Sequence, residues 1–60
     1  MIDFTRNGKR FIAGRGFMTA FDENGDEEFH AMDVFREKDP TEESVLELYE
    51  IIKDISENAE

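Results

Sequence analysis

The sequence predicts an α+β fold, in which a small antiparallel β-meander of three to four strands carries one C-terminal α-helix packed on one face. Two Asn-Gly dipeptides, Asn7-Gly8 and Asn24-Gly25, each predict a β-hairpin, because both residue types tolerate the positive φ of two-residue hairpin turns. The third observation is a run of apolar residues at helical spacing that follows Pro40. An apolar sheet face and an apolar helix stripe can bury each other.

The length of 60 residues allows one small domain, because a chain of this size buries only about 60% of the surface of its unfolded form. We expect a single domain over residues 1–60, with a strand region at 1–36, a linker at 37–39 and a helix at 40–58. Hydrophobic residues make up 38% of the chain, which is enough for a thin two-layer core and too much for a disordered tail.

The first hairpin has a defined register. A two-residue turn at Asn7-Gly8 fixes which residues face each other on the two strands. It makes three cross-strand pairs: Arg6–Lys9, Phe4–Phe11 and Ile2–Ala13. The Phe4–Phe11 pair supports this register, because facing aromatic side chains stabilise an antiparallel pair.

The second hairpin allows two registers. A two-residue loop would place Phe17 and Phe21 on the face opposite Phe29 and Phe35. A three-residue loop over 23–25, ending in a glycine bulge, would gather six side chains on one face. These are Phe17, Thr19, Phe21, Phe29, Ala31 and Phe35. We favour the second register, since a chain this short can fill only one core.

The segment Gly14-Arg15-Gly16 joins the two hairpins, and two interpretations of it stay open. It is a tight turn between two strands, or it is a kink within one long bent strand from Lys9 to Phe21. Both interpretations keep the strands in meander order.

The helix has a clear start signal. Asp39 can cap the first turn, Pro40 suits the first helical position, and Glu42 lies three residues after the cap, as in a capping box. Apolar residues at 3-4-3 spacing then form the stripe expected to pack on the sheet. They are Val45, Leu48, Ile52 and Ile55. The predicted core comprises Phe4, Phe11, Phe17, Phe21, Phe29, Phe35, Val45, Leu48, Ile52 and Ile55.

Three further apolar residues, Leu46, Tyr49 and Ile51, widen the apolar arc of the helix. The extra width indicates either a broad stripe that covers a small core or a second contact, most simply with another copy of the chain.

Charge is distributed unevenly along the chain. Sixteen Asp and Glu against seven Lys and Arg give a formal net charge of −9. Residues 1–15 hold four basic residues against Asp3, whereas residues 16–60 hold three basic residues against fifteen acidic ones. We call the four the basic segment: Arg6, Lys9, Arg10 and Arg15. Either this segment neutralises part of the chain's own acidic surface, or the molecule presents a positive end and a large negative face to its partners.

Five carboxylates form a row on the helix side opposite the apolar stripe. Their 4-3-4-3 spacing places neighbours about 5–6 Å apart at Cβ, and each like-charged pair costs roughly 0.2–0.5 kcal/mol. This acidic row consists of Glu43, Glu47, Glu50, Asp54 and Glu57. A second group, the acidic tip, surrounds the second Asn-Gly turn and consists of Asp22, Glu23, Asp26, Glu27 and Glu28. Such repulsion in a marginal domain indicates either a solvated face or a surface for a basic partner.

The acidic tip lies in a twelve-residue stretch, 22–33, that resembles a calcium-binding EF-hand loop. Asp or Asn occupies the first, third and fifth positions. However, Glu27 replaces the glycine that the sharp turn requires, and Asp33 replaces the final bidentate Glu. We therefore expect no EF-hand, no metal site and no cofactor.

Catalysis finds little support in the sequence. Cysteine is absent, which excludes disulfides, zinc knuckles and thiol chemistry. His30 is the single histidine, and on a strand Asp33 would point to the opposite face. Ser44 and Ser56 fall on the helix. We expect no enzyme and no catalytic residues.

The segment Thr19-Ala20-Phe21-Asp22-Glu23, followed by Asp26-Glu27, resembles a hairpin of the uracil-DNA glycosylase inhibitor family, which are acidic phage proteins that mimic DNA. The resemblance covers fewer than ten of the 60 residues. The helices of that family precede its sheet, whereas here the helix follows. The resemblance implies DNA mimicry as an analogy and identifies no functional residues.

The sequence predicts a small acidic protein that binds a basic surface of another protein through the acidic row and the acidic tip. We expect a phage-type or mobile-element inhibitor or modulator that acts on a nucleic-acid-handling protein as a nucleic-acid mimic. The alternative is a homodimeric structural or regulatory module, joined through Leu46 and Ile51. The net charge argues against direct binding to nucleic acid or membranes. We expect a cytoplasmic protein (in the host cytoplasm if phage-encoded), because no apolar run exceeds three residues.

Overall fold

The computed structural model describes residues 1–58, which form a four-stranded antiparallel sheet and one helix. The elements are β1 (Ile2–Arg6), β2 (Lys9–Gly14), β3 (Phe17–Phe21), β4 (Glu27–Met32) and α1 (Glu42–Asn58). The strands lie side by side in sequence order, β1-β2-β3-β4. The predicted α+β meander with a single C-terminal helix is therefore confirmed, with four strands.

The first hairpin has the predicted register. Asn7 and Gly8 both have positive φ, 57° and 81°, as the two-residue turn requires. The three predicted pairs, Ile2–Ala13, Phe4–Phe11 and Arg6–Lys9, are all formed. The Phe4 and Phe11 rings stack with their centroids 5.2 Å apart.

The segment Gly14-Arg15-Gly16 forms a tight turn between β2 and β3, so the first of its two interpretations is correct. Gly14 pairs with Phe17 across this turn. A Cβ atom on Gly14 would lie only 2.8 Å from the Phe17 ring. The glycine therefore leaves room for the ring to pack against strand β2.

The second hairpin has the favoured three-residue loop, but the predicted division of its faces is wrong. The Asp22 N–H donates to the Asp26 carbonyl (2.9 Å), the Gly25 N–H donates to the Asp22 carbonyl (3.0 Å), and Gly25 has φ 86°, so residues 23–25 form the loop. Farther from the loop, Thr19 faces His30 and Ala20 faces Phe29. Because side chains alternate along a strand, Phe17, Thr19 and Phe21 lie on the face opposite Phe29 and Ala31. This is the division of faces that the disfavoured register predicts, although the loop is the three-residue loop of the favoured one.

The loop and the reversed faces have separate causes. The Asp22 carboxylate accepts hydrogen bonds from the backbone N–H groups of Asn24 (2.9 Å) and Asp26 (3.0 Å), which supports the three-residue loop. A register shift between Ala20 and Phe21 then leaves Glu28 as an extra residue in β4, as in a β-bulge. The alternation of apolar residues does not encode this extra residue, which reverses the faces that the loop alone would give.

The helix begins at Glu42, two residues later than predicted, because Thr41 caps it. The Thr41 hydroxyl accepts a hydrogen bond from the Ser44 backbone N–H (3.2 Å), and the Ser44 hydroxyl accepts one from the Thr41 backbone N–H (2.9 Å). This is a reciprocal capping arrangement with Ser in the place of Glu. The predicted cap, Asp39, instead pairs with Arg15 (3.4 Å), and Pro40 is buried ahead of the helix.

The core lies between α1 and one face of the sheet, which we call the covered face. Its fully buried residues are Phe11, Ala13, Met18, Ala20, Val45 and Tyr49. Tyr49 is central to it, because its ring meets Phe11 edge to face (centroids 5.1 Å apart) and stacks on Phe29 (5.4 Å). The other face of the sheet, the open face, has no element packed on it within residues 1–58.

The predicted core is confirmed for Phe11 and Val45, and a second group is half-buried. The half-buried group is Phe4, Phe29, Phe35, Leu48 and Ile52. The prediction is wrong for Phe17 and Phe21, which lie on the open face, and for Ile55, which is 63% exposed. The helix is about 25 Å long, whereas the sheet is about 17 Å along its strands, so the last helical turn extends beyond the sheet.

The covered face is lined by small residues where the sequence suggested phenylalanines. Ala13, Ala20 and Ala31 lie on this face, and the first two are fully buried. Small side chains let the helix approach the sheet closely, and Tyr49 and Met18 then fill the remaining space. Counting bulky apolar residues therefore assigned two of the phenylalanines to the wrong face.

Candidate protein-binding site

The acidic row lies along the exposed side of α1. Val45 and Tyr49 face the sheet, so the helical period places the row on the side away from it. All five carboxylates are solvent-exposed: Glu43, Glu47, Glu50, Asp54 and Glu57. The row is about 21 Å long, since its first and last members are 14 residues apart at about 1.5 Å per residue.

No ion pair relieves the acidic row within residues 1–58. Asp54 accepts a hydrogen bond from the Asn58 amide (3.1 Å), which leaves its charge in place. Lys53 is the one cation of α1, and its ammonium lies over the Tyr49 ring, 5.7 Å from the centroid. The helix therefore presents five uncompensated negative charges on one surface.

Two apolar side chains accompany the acidic row. Leu46 and Ile51 line a shallow depression on the helix surface together with Glu43, Glu47 and Glu50. Ile51 is 55% exposed, whereas Leu46 packs partly against the core. A partner that binds the carboxylates can therefore bury apolar surface at the same place.

The acidic tip is divided by the fold. Glu28 turns toward the covered face, where it accepts hydrogen bonds from the Tyr49 hydroxyl (3.0 Å) and the Lys9 ammonium (3.3 Å). Asp22 is occupied by the backbone of its own loop. Three members, Glu23, Asp26 and Glu27, are exposed without a side-chain hydrogen bond among residues 1–58. Compared with the acidic row, the tip therefore offers fewer free carboxylates.

Every member of the basic segment pairs with a carboxylate of the chain. The four pairs are Arg6–Glu42 (2.9 Å), Lys9–Glu28 (3.3 Å), Arg10–Asp3 (2.9 Å from Nε to Oδ1) and Arg15–Asp39 (3.4 Å). This arrangement matches the interpretation in which the segment neutralises part of the chain's own acidic surface. None of these pairs involves the acidic row.

The pKa shifts follow these contacts. The Tyr49 hydroxyl and the Glu28 carboxylate raise the pKa of Lys9. The hydrogen bonds from the Arg10 guanidinium lower the pKa of Asp3, and the same carboxylate raises the pKa of Arg10. In each case the neighbouring group favours the charged form.

His30 lies on the open face, away from any constellation that suggests catalysis. Its Nδ1 atom is 2.6 Å from the Thr19 hydroxyl and its Nε2 atom is 3.0 Å from the Met32 sulfur, while its ring stacks on Phe17. Asp33 follows the end of β4 with φ 62° and is not hydrogen-bonded to His30. Among residues 1–58, no three metal-binding side chains are grouped closely enough to hold an ion.

The structure also reveals an apolar surface that the sequence analysis missed. Ile12, Phe17, Phe21 and Met32 share the open face, and Met32 is 65% exposed. The alanines at 13, 20 and 31 were the feature of the sequence that could have revealed this surface. A helix packs most closely over small residues, and this would have placed the bulky residues between them on the other face.

Comparisons with known proteins give no relatives. No family model matches the chain, and neither a curated protein nor a solved structure is significantly similar to it. In the part of the chain that the structure describes, no helix combines the length and the apolar character needed to cross a membrane.

Proposed function

We propose that this protein binds a basic surface of another protein through the acidic row of α1. The proposed partner is a nucleic-acid-handling protein, and the proposed effect is inhibition or modulation by occupation of its nucleic-acid site. The role is one of binding, without catalysis. The observation that carries the proposal is the set of five exposed carboxylates that have no ion pair among residues 1–58, although every cation of the basic segment is paired.

The position of the row on the helix lowers the stability of the folded chain. Like charges three and four residues apart repel each other by roughly 0.2–0.5 kcal/mol per pair. Asp54 and Glu57 lie toward the C-terminal end of α1, where the helix dipole disfavours negative charge, and no basic residue occupies the last turn. A partner rich in Lys and Arg would convert this repulsion into attraction on binding.

The charge spacing supports mimicry of a single phosphate backbone. Five charges over about 21 Å give one charge per about 5 Å of helix axis. One strand of duplex DNA carries a charge every 3.4 Å or so along its axis. The row therefore approximates one strand better than a whole duplex. The free tip residues Glu23, Asp26 and Glu27 extend the negative surface beyond the helix.

The test begins with capture of partners from the cells in which the protein acts, using the full chain as bait. A triple variant, E47K/E50K/D54K, should lose the captured protein while its circular dichroism spectrum stays unchanged. Capture by the unmodified chain should weaken as salt rises, since exposed charges are screened. Added duplex or single-stranded DNA should displace the partner, because both ligands occupy one site.

A matched pair of single variants locates the contact. Glu50 belongs to the row, whereas Glu37 lies in the connection between β4 and α1, and both side chains are exposed. E50K and E37K change the net charge equally, so only E50K should weaken binding by several fold. Equal weakening by both variants, or a partner affinity indifferent to salt, would overturn the proposal. If DNA does not displace the partner, the proposed mimicry of nucleic acid is wrong, and only binding of a basic surface through the acidic row remains.

A further inference from the structure

We propose that the open face of the sheet is a self-association surface, on which a second copy of this chain docks face to face to form a weak homodimer. The proposed contact is independent of the acidic row, because the open face and α1 lie on opposite sides of the sheet.

The open face carries four large apolar side chains beside its polar ones. Ile12, Phe17 and Phe21 are half-buried by their neighbours within the sheet, and Met32 is 65% exposed. Thr19, between the two phenylalanines, is only 9% exposed. An antiparallel sheet with one solvated face ordinarily carries polar side chains there, so this composition indicates a covered surface.

The open face is also the part of this acidic molecule with the least net charge. Asp3 and Arg10 lie on it and pair with each other, and Glu27 stands at one corner. By contrast, α1 exposes five carboxylates on the opposite side of the molecule, and none of them is paired among residues 1–58. Two copies, each of formal charge −9, can approach most easily through their open faces, which keeps the two helices far apart.

The rows of residues across the open face are self-complementary. One row runs Thr5, Arg10, Phe21, Glu27, and the next runs Asp3, Ile12, Thr19, His30. A two-fold axis parallel to the strands places β1 of one copy over β4 of the other, so each row meets itself in reverse order.

Reversal brings chemically matched groups together. Arg10 lies over Phe21 of the second copy, which is a cation–π arrangement. Glu27 lies over Thr5 of the second copy, whose hydroxyl can donate to the carboxylate. Asp3 lies over His30 of the second copy, and Ile12 lies over Thr19. A second copy therefore offers partners to the polar side chains of the open face as well as to the apolar ones. This is why a second copy is the proposed occupant.

The size of the face predicts weak association. Four strands spaced about 4.8 Å apart, with five residues each, span about 300 Å² of sheet. A stable complex usually buries about 800 Å² on each partner. We therefore expect a dissociation constant of tens to hundreds of micromolar, with monomers predominating in dilute solution.

Sedimentation velocity across the micromolar to millimolar range tests the proposal. The mass should rise from 7.0 kDa toward twice that value with concentration, and the rise should come at lower concentration in high salt, because salt screens the repulsion between acidic copies. Binding of a basic partner has the opposite salt dependence, so failure of the dimer and failure of the proposed function are distinguishable.

Two exposed apolar residues provide a matched pair of variants. Met32 is 65% exposed on the open face, and Ile51 is 55% exposed on α1. M32E should raise the dissociation constant at least about tenfold, since each copy loses an apolar contact and brings one more negative charge to the interface. I51E should leave it unchanged. The reverse result would overturn the proposal in favour of a dimer joined through the helix.

Backbone amide shifts of the unmodified chain provide a measurement that needs no variant. On dilution, the shifts should change in β2 and β3 and stay constant in α1. A chain that remains a monomer of 7.0 kDa at millimolar concentration in high salt overturns the proposal, as do dilution shifts confined to α1.

Discussion

The carboxylates that lie near the sheet and those of the acidic row have opposite relations to the rest of the chain. Four acidic residues, the paired carboxylates, each contact one cation of the basic segment. They are Asp3, Glu28, Asp39 and Glu42. The five residues of the acidic row contact no cation among residues 1–58. The chain therefore concentrates its unrelieved repulsion on one exposed helix surface, although cations for partial relief are present elsewhere in the molecule.

The paired carboxylates join separate elements, which explains why the cations are used there. Glu42 and Arg6 connect the start of α1 to β1, and Asp39 connects the segment before the helix to the β2–β3 turn. Glu28 connects β4 to both Lys9 in β2 and Tyr49 in α1. The acidic row makes no such connection. Loss of charge should therefore destabilise the fold at paired positions and stabilise it in the row.

The largest effect should come from Glu28. We expect E28A to destabilise the protein by roughly 1–2 kcal/mol, because the buried Tyr49 hydroxyl loses its acceptor and Lys9 loses its partner. The comparison variant is E47A, which also removes one carboxylate but no contact, and it should be neutral or slightly stabilising. Urea denaturation followed by circular dichroism measures both changes. Equal destabilisation by the two variants would contradict the distinction between the two groups.

The sequence predicts the first hairpin and the helix well because their signals are local. The Asn7-Gly8 turn fixes every pair of β1 with β2, and the 4-3-4-3 spacing places the acidic row on one side of α1 regardless of how the helix packs. The helix start was shifted by two residues, since the hydroxyl pair of Thr41 and Ser44 forms the cap in preference to Asp39.

The second hairpin could not be predicted in the same way. Its three-residue loop is the predicted one, but its faces depend on one extra residue at Glu28. A shift of one residue moves every side chain to the other face, so Phe17 and Phe21 were assigned to the core. The ion pairs could not be predicted from the sequence either. Arg6 and Glu42, for example, are far apart in the chain and meet only after the helix packs.

The pH dependence of stability offers an intermediate test through Asp3. Arg10 lowers the pKa of this carboxyl below its ordinary value of 3.8 in the folded chain. The resulting stabilisation is present above the unfolded pKa and is lost as the pH falls through the lower folded pKa. R10Q should therefore make acid destabilisation shallower between about pH 5 and the folded pKa. Urea titrations at several pH values measure this slope, and an unchanged slope would show that the pair contributes nothing.

The smallest effect should have the opposite sign and should distinguish the acidic row most clearly. E47Q retains the size and helix preference of Glu47 and removes its repulsion with Glu43 and Glu50, so it should stabilise the protein by a few tenths of a kcal/mol. E42Q, on the same helix, removes a pair with Arg6 and a favourable charge in the first turn, so it should destabilise. Both effects should shrink in high salt, because both are electrostatic and exposed to solvent. A destabilising E47Q at low salt would mean that the row supports the fold, and its charges would then need no partner to explain them.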